Sequence, residues 1–300
     1  MFMGDRHMLF TRAARHGRLV LLAVALVGFQ ATGASAQDVP AERKAGSISV
    51  TAGTDFVSSY MFRGFRQDDT KIITWPYGDV GLTLYSGDGA LKHVGVGVGM
   101  WSSLHPGDAG RDGPSGKLWY QRNVDATLGL GFGGGVSLGT TYRAYVSPNK
   151  MFSTVKEVAM KLAVDDSARF GKGAVRPYAL VAFELDTTPG LGQLDAGATA
   201  GRYLELGIAP GWAANVVSIA IPVKVGLSLS NYYELAGVDH RFGYASVGGI
   251  ATVPLGRTSA FGRWNVHGGV ELQSLGETTK VLNGGDRSKV IGSIGVGFAY

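Results

Sequence analysis

Residues 287–300 read RSKVIGSIGVGFAY, with Val290, Gly292, Ile294, Val296, Phe298 and Tyr300 alternating with Lys289, Ile291, Ser293, Gly295, Gly297 and Ala299. Unbroken period-two alternation of this kind describes a strand whose two faces meet different surroundings. An exposed Phe-x-Tyr at the end of the chain suits oil on one of those faces better than water. A strand of about 9–11 residues crosses a bilayer when tilted, and strands enter lipid only as closed barrels, since an open edge leaves peptide groups unpaired. The rest of the chain is therefore expected to supply the other staves.

Twelve staves are readable, at approximately 47–62, 75–86, 91–103, 117–131, 135–147, 154–166, 174–186, 202–212, 216–230, 241–255, 261–273 and 287–300. In the ninth, Val217, Ile219, Ile221, Val223, Val225, Leu227 and Leu229 share a lipid face, and Ser218, Ala220, Pro222, Lys224, Gly226, Ser228 and Ser230 share a lumen face. On that basis Val223→Arg is expected to be costly and Ser228→Arg mild. Alternation alone would also fit a soluble sandwich. The connections separate the two folds: those after even-numbered staves are mostly short, and those after odd-numbered staves mostly longer and polar, with Pro148 to Ser153 the exception. The expected fold class is all-β, a single antiparallel transmembrane β-barrel of about twelve strands in the bacterial outer membrane, with both termini periplasmic and lipid as its surroundings. Aromatic residues near the long-loop end (Trp75, Tyr77, Trp101, Trp119, Tyr120, Tyr142, Tyr145, Tyr232 and Tyr233) are expected to form a girdle at the headgroups.

Met1 to Ala36 reads as a signal peptide: Arg12, Arg15 and Arg18 precede the apolar run Leu19 to Phe29, and Ala34-Ser35-Ala36 offers a small-x-small cleavage site. That leaves 37–46 as a short N-terminal segment and 47–300 as one barrel domain. The chain holds 28 basic and 23 acidic residues, a net +5, and the leader's four Arg and one Asp account for most of the excess. No nucleic-acid footprint remains. With no cysteine there is neither a disulfide framework nor a thiolate metal site. Glycine, at 47 of 300 residues against an ordinary ~7%, together with a mean hydropathy of only +0.10, fits strands that are apolar on one face.

By alternation the lumen face carries the acids Asp55, Asp79, Asp125, Glu157, Asp165, Glu184, Glu205 and Glu271 and the bases Arg143, Lys161, Arg176, Lys224, Arg263 and Lys289, with His267 among them. Charges so nearly balanced either line a wet pore or pair across a narrow lumen and plug it. Other chemistry is sparse. No histidine pair has metal-ligand spacing, Gly-x-Gly strings such as Gly129-Leu130-Gly131 lack a following helix, and there is no G-x-S-x-G elbow. No catalytic residue, metal or cofactor is expected. A passive diffusion pore for small polar solutes leads the functional readings. A plugged structural or surface-interaction barrel, resting on its long loops, is the first alternative. An outer-membrane lipid-modifying enzyme is the second, and requires a nucleophile within reach of His267.

Two stretches carry resemblances. The terminal pattern resembles the closing strand of bacterial outer-membrane proteins, which implies that Ile294, Val296, Phe298 and Tyr300 form the assembly signal read by the barrel-insertion machinery. Residues 55–64, DFVSSYMFRG, resemble the first-strand motif of the TorF-like porins of proteobacteria, in which a Ser precedes Asp-Tyr-Arg-Phe-Arg-Gly. Here Ser59 stands in place of that Asp and Met61 in place of the first Arg, so a related uncharacterised outer-membrane barrel family fits equally. The resemblance implies a signal peptide, an outer-membrane barrel and a pore role without an assigned substrate.

Overall fold

The computed structural model describes residues 45–106, 118–185, 199–214, 216–259 and 262–300. The expected signal peptide and most of the long loops at 104–116 and 187–201 lie outside these residues. The first stave, β1 (Ile48–Val57), is followed by two short strands, β2 (Tyr60–Phe62) and β3 (Phe65–Asp68). Then come β4 (Ile73–Ser86), β5 (Leu91–Leu104), β6 (Trp119–Phe132), β7 (Val136–Val146), β8 (Val155–Val164) and, after the single-turn α1 (Ser167–Phe170), β9 (Tyr178–Glu184). The strands β10 (Arg202–Ile208) and β11 (Gly211–Ala214) form one stave broken at Ala209-Pro210, and β12 (Val217–Ala220) and β13 (Val223–Ser230) form one broken at Ile221-Pro222. Proline has no N–H to give the ladder, so regular pairing lapses there. A small ribbon of β14 (Glu234–Leu235) and β15 (Val238–Asp239) precedes β16 (Phe242–Ser259), β17 (Gly262–Leu275), α2 (Glu277–Leu282) and β18 (Ser288–Ala299).

Each stave pairs antiparallel with its neighbours in the chain, and β18 closes on β1 with Ala52 opposite Phe298 and Phe56 opposite Ile294, giving a closed barrel of twelve staves. The last residue takes part: Val50 and Tyr300 exchange backbone hydrogen bonds of 3.0 and 2.8 Å. Ile48, Val80, Val98, Leu128, Val223, Val270 and Ile294 project outward and are exposed, while their alternates point into the lumen. Satisfied peptide groups inside an apolar outer surface are the condition for strands to reside in lipid. The protein is a β-barrel of the bacterial outer membrane.

Two expectations need correction. The first stave ends at Val57 rather than at residue 62, because β2 and β3 leave the wall. The aromatic girdle is also much smaller than expected: Trp119 and Tyr142 face outward and are exposed, but Trp75, Trp101, Tyr120, Tyr145, Tyr232 and Tyr233 are buried inside. Their register explains this. Trp75 shares parity with Asp79, Trp101 with Gly99, and Tyr145 with Arg143, all on the lumen side.

Candidate functional site

The buried aromatic residues pack around a hairpin that folds into the lumen at the end away from the paired chain termini. In β2 and β3, Phe62 pairs with Phe65 across the two-residue turn Arg63-Gly64. Both turn residues are left-handed, with φ of 49° and 85°, the geometry whose twist matches paired strands. Glycine meets that requirement freely at 64, whereas Arg63 pays steric strain to sit there, so its side chain is held by its contacts.

Those contacts are ionic and aromatic. Arg63 Nη1 donates to Glu157 Oε2 at 2.6 Å and to the Tyr232 hydroxyl at 2.8 Å, and Nη2 donates to Glu157 Oε1 at 2.9 Å. The guanidinium carbon lies 4.1 Å from the centre of the Tyr203 ring. The Tyr145 hydroxyl donates to Glu157 Oε1 at 3.2 Å, so the carboxylate has partners on several sides. Only 9% of the Arg63 side chain and 2% of that of Glu157 are exposed, which makes this a buried clamp. The backbone of the turn is also tied: Tyr233 Oη donates to Arg63 O at 3.0 Å, and Asn283, just after α2, donates to Gly64 O at 2.7 Å and accepts from Arg66 N at 2.8 Å.

The flanks of the hairpin are held by the opposite wall. Tyr60 donates to Gln121 at 3.2 Å, and Tyr120 donates to Gln67 at 2.7 Å. At the end of β3, Asp68 Oδ2 lies 3.0 Å from His105 Nδ1, and His105 Nε2 lies 2.7 Å from Ser103 Oγ, which accepts from Trp75 Nε1 at 2.9 Å. The order Ser, His, Asp is that of a nucleophile, base and orienter. The Asp68–His105 contact is close but too poorly aligned to count as a hydrogen bond, and all three residues are sealed from solvent. Asp68 belongs to the hairpin while Ser103 and His105 belong to the wall, so any movement that admitted a substrate would break the set. It is a latch between hairpin and barrel. Burial lowers the His105 pKa against the pull of Asp68; burial raises that of Asp68, but the nearby His105 and the hydrogen bonds from Thr70 outweigh it and hold the carboxyl below its ordinary value.

Nearer the chain termini the lumen is different. Thr51 is exposed although it points inward, and it donates to Asp79 at 3.3 Å. Nothing stands within 4 Å of the position a side chain would take at the inward-facing Gly139. The end of the lumen that holds the hairpin is packed and dry; nearer the chain termini the inward residues are polar, with open space at Thr51 and Gly139, while Ser49, Thr83, His93 and Thr252 are buried.

Several of the lumen charges form local pairs. Arg143 grips Asp125 through two bonds of 2.5 and 2.7 Å, Lys224 lies 3.7 Å from Glu271, and His267 bonds Asp55 at 2.7 Å and Asn265 at 2.9 Å. Neither ring nitrogen of His267 meets a hydroxyl among the described residues, so the nucleophile required by the enzyme reading is not beside it. Glu205 accepts from Tyr178, Tyr203 and Tyr244 at 2.8, 2.7 and 3.0 Å, and Lys161 sits 4.2 Å over the Tyr178 ring. Glu184 accepts from Gly201 N at 2.7 Å. Lys289 bonds Asp69 at 2.5 Å beside the hairpin. Asp165 and Arg176 lie outside the strands, in the connection between β8 and β9, 3.9 Å apart. Arg263 keeps the inward parity of His267 on β17.

No protein-family profile matches the chain, and no curated protein matches its sequence. Among solved structures, the chain is similar to an outer-membrane channel from Pseudomonas putida F1, at 11% identity over 90% of this chain and 100% of that one, with a TM-score of 0.46. It is similar to the β domain of the Bordetella autotransporter BrkA at 15% identity, over 86% of this chain and 99% of that one, with a TM-score of 0.43. Outer membrane phospholipase A from Escherichia coli matches at 11% identity, over 83% and 92% of the two chains, also with a TM-score of 0.43. All three are outer-membrane proteins.

Sequence reasoning missed Arg63 as a lumen residue, since it counted the segment as wall and then loop. The available signal was the pair Arg63-Gly64 between Tyr60-Met61-Phe62 and Phe65, a glycine-containing two-residue turn flanked by apolar residues.

Proposed function

We propose that the protein is an outer-membrane channel for small polar solutes, held shut on its extracellular side by the β2–β3 hairpin. The observation that carries this reading is a buried ionic clamp, Arg63 on Glu157, set above polar inward residues with open space at Gly139. A permanent plug would gain more from apolar packing, because the desolvation of a buried ion pair offsets much of its attraction. A seat of this kind suits a part that leaves and returns. The inward charges Asp55, Asp79, Lys161, Lys224 and Glu271 then line the solute path below the hairpin. Residues 55–64, which resemble the first-strand motif of TorF-like porins except at Ser59 and Met61, run to the hairpin tip, in keeping with that group or a related barrel family. Ile294, Val296, Phe298 and Tyr300, on the lipid side of β18, serve as the assembly signal. The test is swelling of proteoliposomes in small sugars and amino acids. Arg63→Ala is expected to admit solutes that the wild type excludes, and equal exclusion by both folded proteins would favour a structural barrel.

A further inference from the structure

We propose that the seat of Arg63 is the channel's recognition site for solutes bearing a guanidinium group, with Arg63 acting as a tethered competitor for it. The inference rests on the channel reading above. Withdrawal of the hairpin would expose the whole seat, because Glu157 on β8, Tyr203 on β10 and Tyr232 after β13 all belong to the wall or its loops. Its geometry selects a planar fork: two parallel donors reach the two Glu157 oxygens, a third contact meets the Tyr232 hydroxyl, and a flat cation lies over the Tyr203 ring. An alkylammonium is a compact point charge that satisfies the carboxylate without matching the fork or the stack.

A second observation points to a cation independently of the clamp. Glu157 and Glu184 stand directly opposite each other in the register of β8 and β9, both facing inward. Like charges in that position repel. Arg143, opposite Glu157 on β7, directs its fork to Asp125 instead. When the hairpin leaves, Glu157 loses the guanidinium it holds while a second carboxylate stands opposite it, an arrangement that favours another cation. Glu205, two residues beyond Tyr203, accepts from the hydroxyls of Tyr178, Tyr203 and Tyr244 and extends the same acidic wall inward.

The test uses purified barrel in detergent, with methylguanidinium and methylammonium as probes and the midpoint of heat-modifiability as readout. Arg63→Ala is expected to show a saturable rise of about 5 °C with methylguanidinium, as a ligand filling an empty site should give. The wild type, its seat occupied, should not shift, methylammonium should do less, and Glu157→Gln in the Arg63→Ala background should abolish the effect. No shift in Arg63→Ala, or an equal shift after Glu157→Gln, would overturn the assignment. If Arg63→Ala does not assemble, methylguanidinium present during refolding should restore the heat-modifiable band, and failure to do so for both Arg63→Ala and Arg63→Ser would overturn it as well. Conductance of the same variant separates the two levels: current without a methylguanidinium shift removes the recognition site and leaves the channel, whereas a shift without current removes the channel and the transport role of the seat with it.

Discussion

Arg63 and Glu157 meet through a two-pronged ion pair of 2.6 and 2.9 Å although their staves are far apart in the wall: the hairpin springs from β1, and β8 lies five staves round a barrel of twelve. A loop residue thus reaches across the lumen to a strand nearly opposite. The pair fixes the position of the hairpin tip, and the aromatic side chains of Tyr203, Tyr232 and Tyr233 fill the space around it.

Breaking the clamp on one side strands a buried charge. Arg63→Ala or Glu157→Leu alone should each cost about 3–5 kcal/mol, whereas Arg63→Met with Glu157→Leu should be near neutral. A double-mutant cycle on urea unfolding of the refolded barrel measures the difference. Additive losses would show that the two side chains do not act as a pair.

The two faces of the ninth stave differ in what they tolerate. Val223→Arg, on the lipid side, should cost about 2–4 kcal/mol and reduce assembled protein. Ser228→Arg, which parity alone makes mild, should fail too, because Ser228 is buried and accepts from Tyr232 N at 3.0 Å. The informative lumen control is Gly139→Ser, which enters open space and should leave the yield of heat-modifiable barrel unchanged. A lower yield for Gly139→Ser than for Val223→Arg would invert the assignment of faces.

Acid should loosen the hairpin. The His105 pKa is lowered in the folded protein, so the unfolded state binds the extra proton first, and stability falls as pH drops below the ordinary value of 6.5. Asp68 is also lowered, and its contribution is present above the ordinary carboxylate value and lost as pH falls through its folded pKa. Among the described residues, the groups facing His105, namely Asp68, Ser103, Tyr60 and Tyr120, include no base that would reverse the sign. Hydrogen exchange of the β2–β3 amides, corrected for its intrinsic pH dependence, should show less protection at pH 5 than at pH 7.5. His105→Asn should flatten the step between them, and unchanged protection in the wild type would contradict the latch.

Closure at the terminus is a further point of attack. Deleting Phe298 to Tyr300 removes the rungs to Ala52, Thr51 and Val50 on β1 and to Trp264 and Arg263 on β17. The truncated protein should disappear from the outer-membrane fraction. A heat-modifiable truncated barrel in that fraction would show that neither the rungs nor the aromatic ending is required.

The barrel was legible because its physics is periodic. Alternation in Val217 to Ser230 or Val290 to Tyr300 assigns lipid and lumen faces residue by residue, although it ran the first stave on past Val57, where the wall ends. The hairpin was not legible in the same way. Tyr60-Met61-Phe62 and Phe65-Arg66-Gln67-Asp68 are too short to show a period, and their burial comes from residues far along the chain such as Tyr203 and Tyr232. The girdle reading failed where two rules conflicted: position near a stave end sent Trp75, Trp101 and Tyr145 to the headgroups, but their parity with lumen residues sent them inward. Parity prevailed because the hairpin gave those rings an apolar place to pack.

The central claim is that the hairpin closes the lumen, and steady conductance in a planar bilayer tests it most directly. The wild type should carry no steady current, and a heat-modifiable variant in which residues 59–68 are replaced by a short Gly-Ser link should conduct continuously, because the hairpin that packs against the lumen wall is gone. A wild type that conducts as well as this variant, or a folded variant that stays silent, would contradict the account.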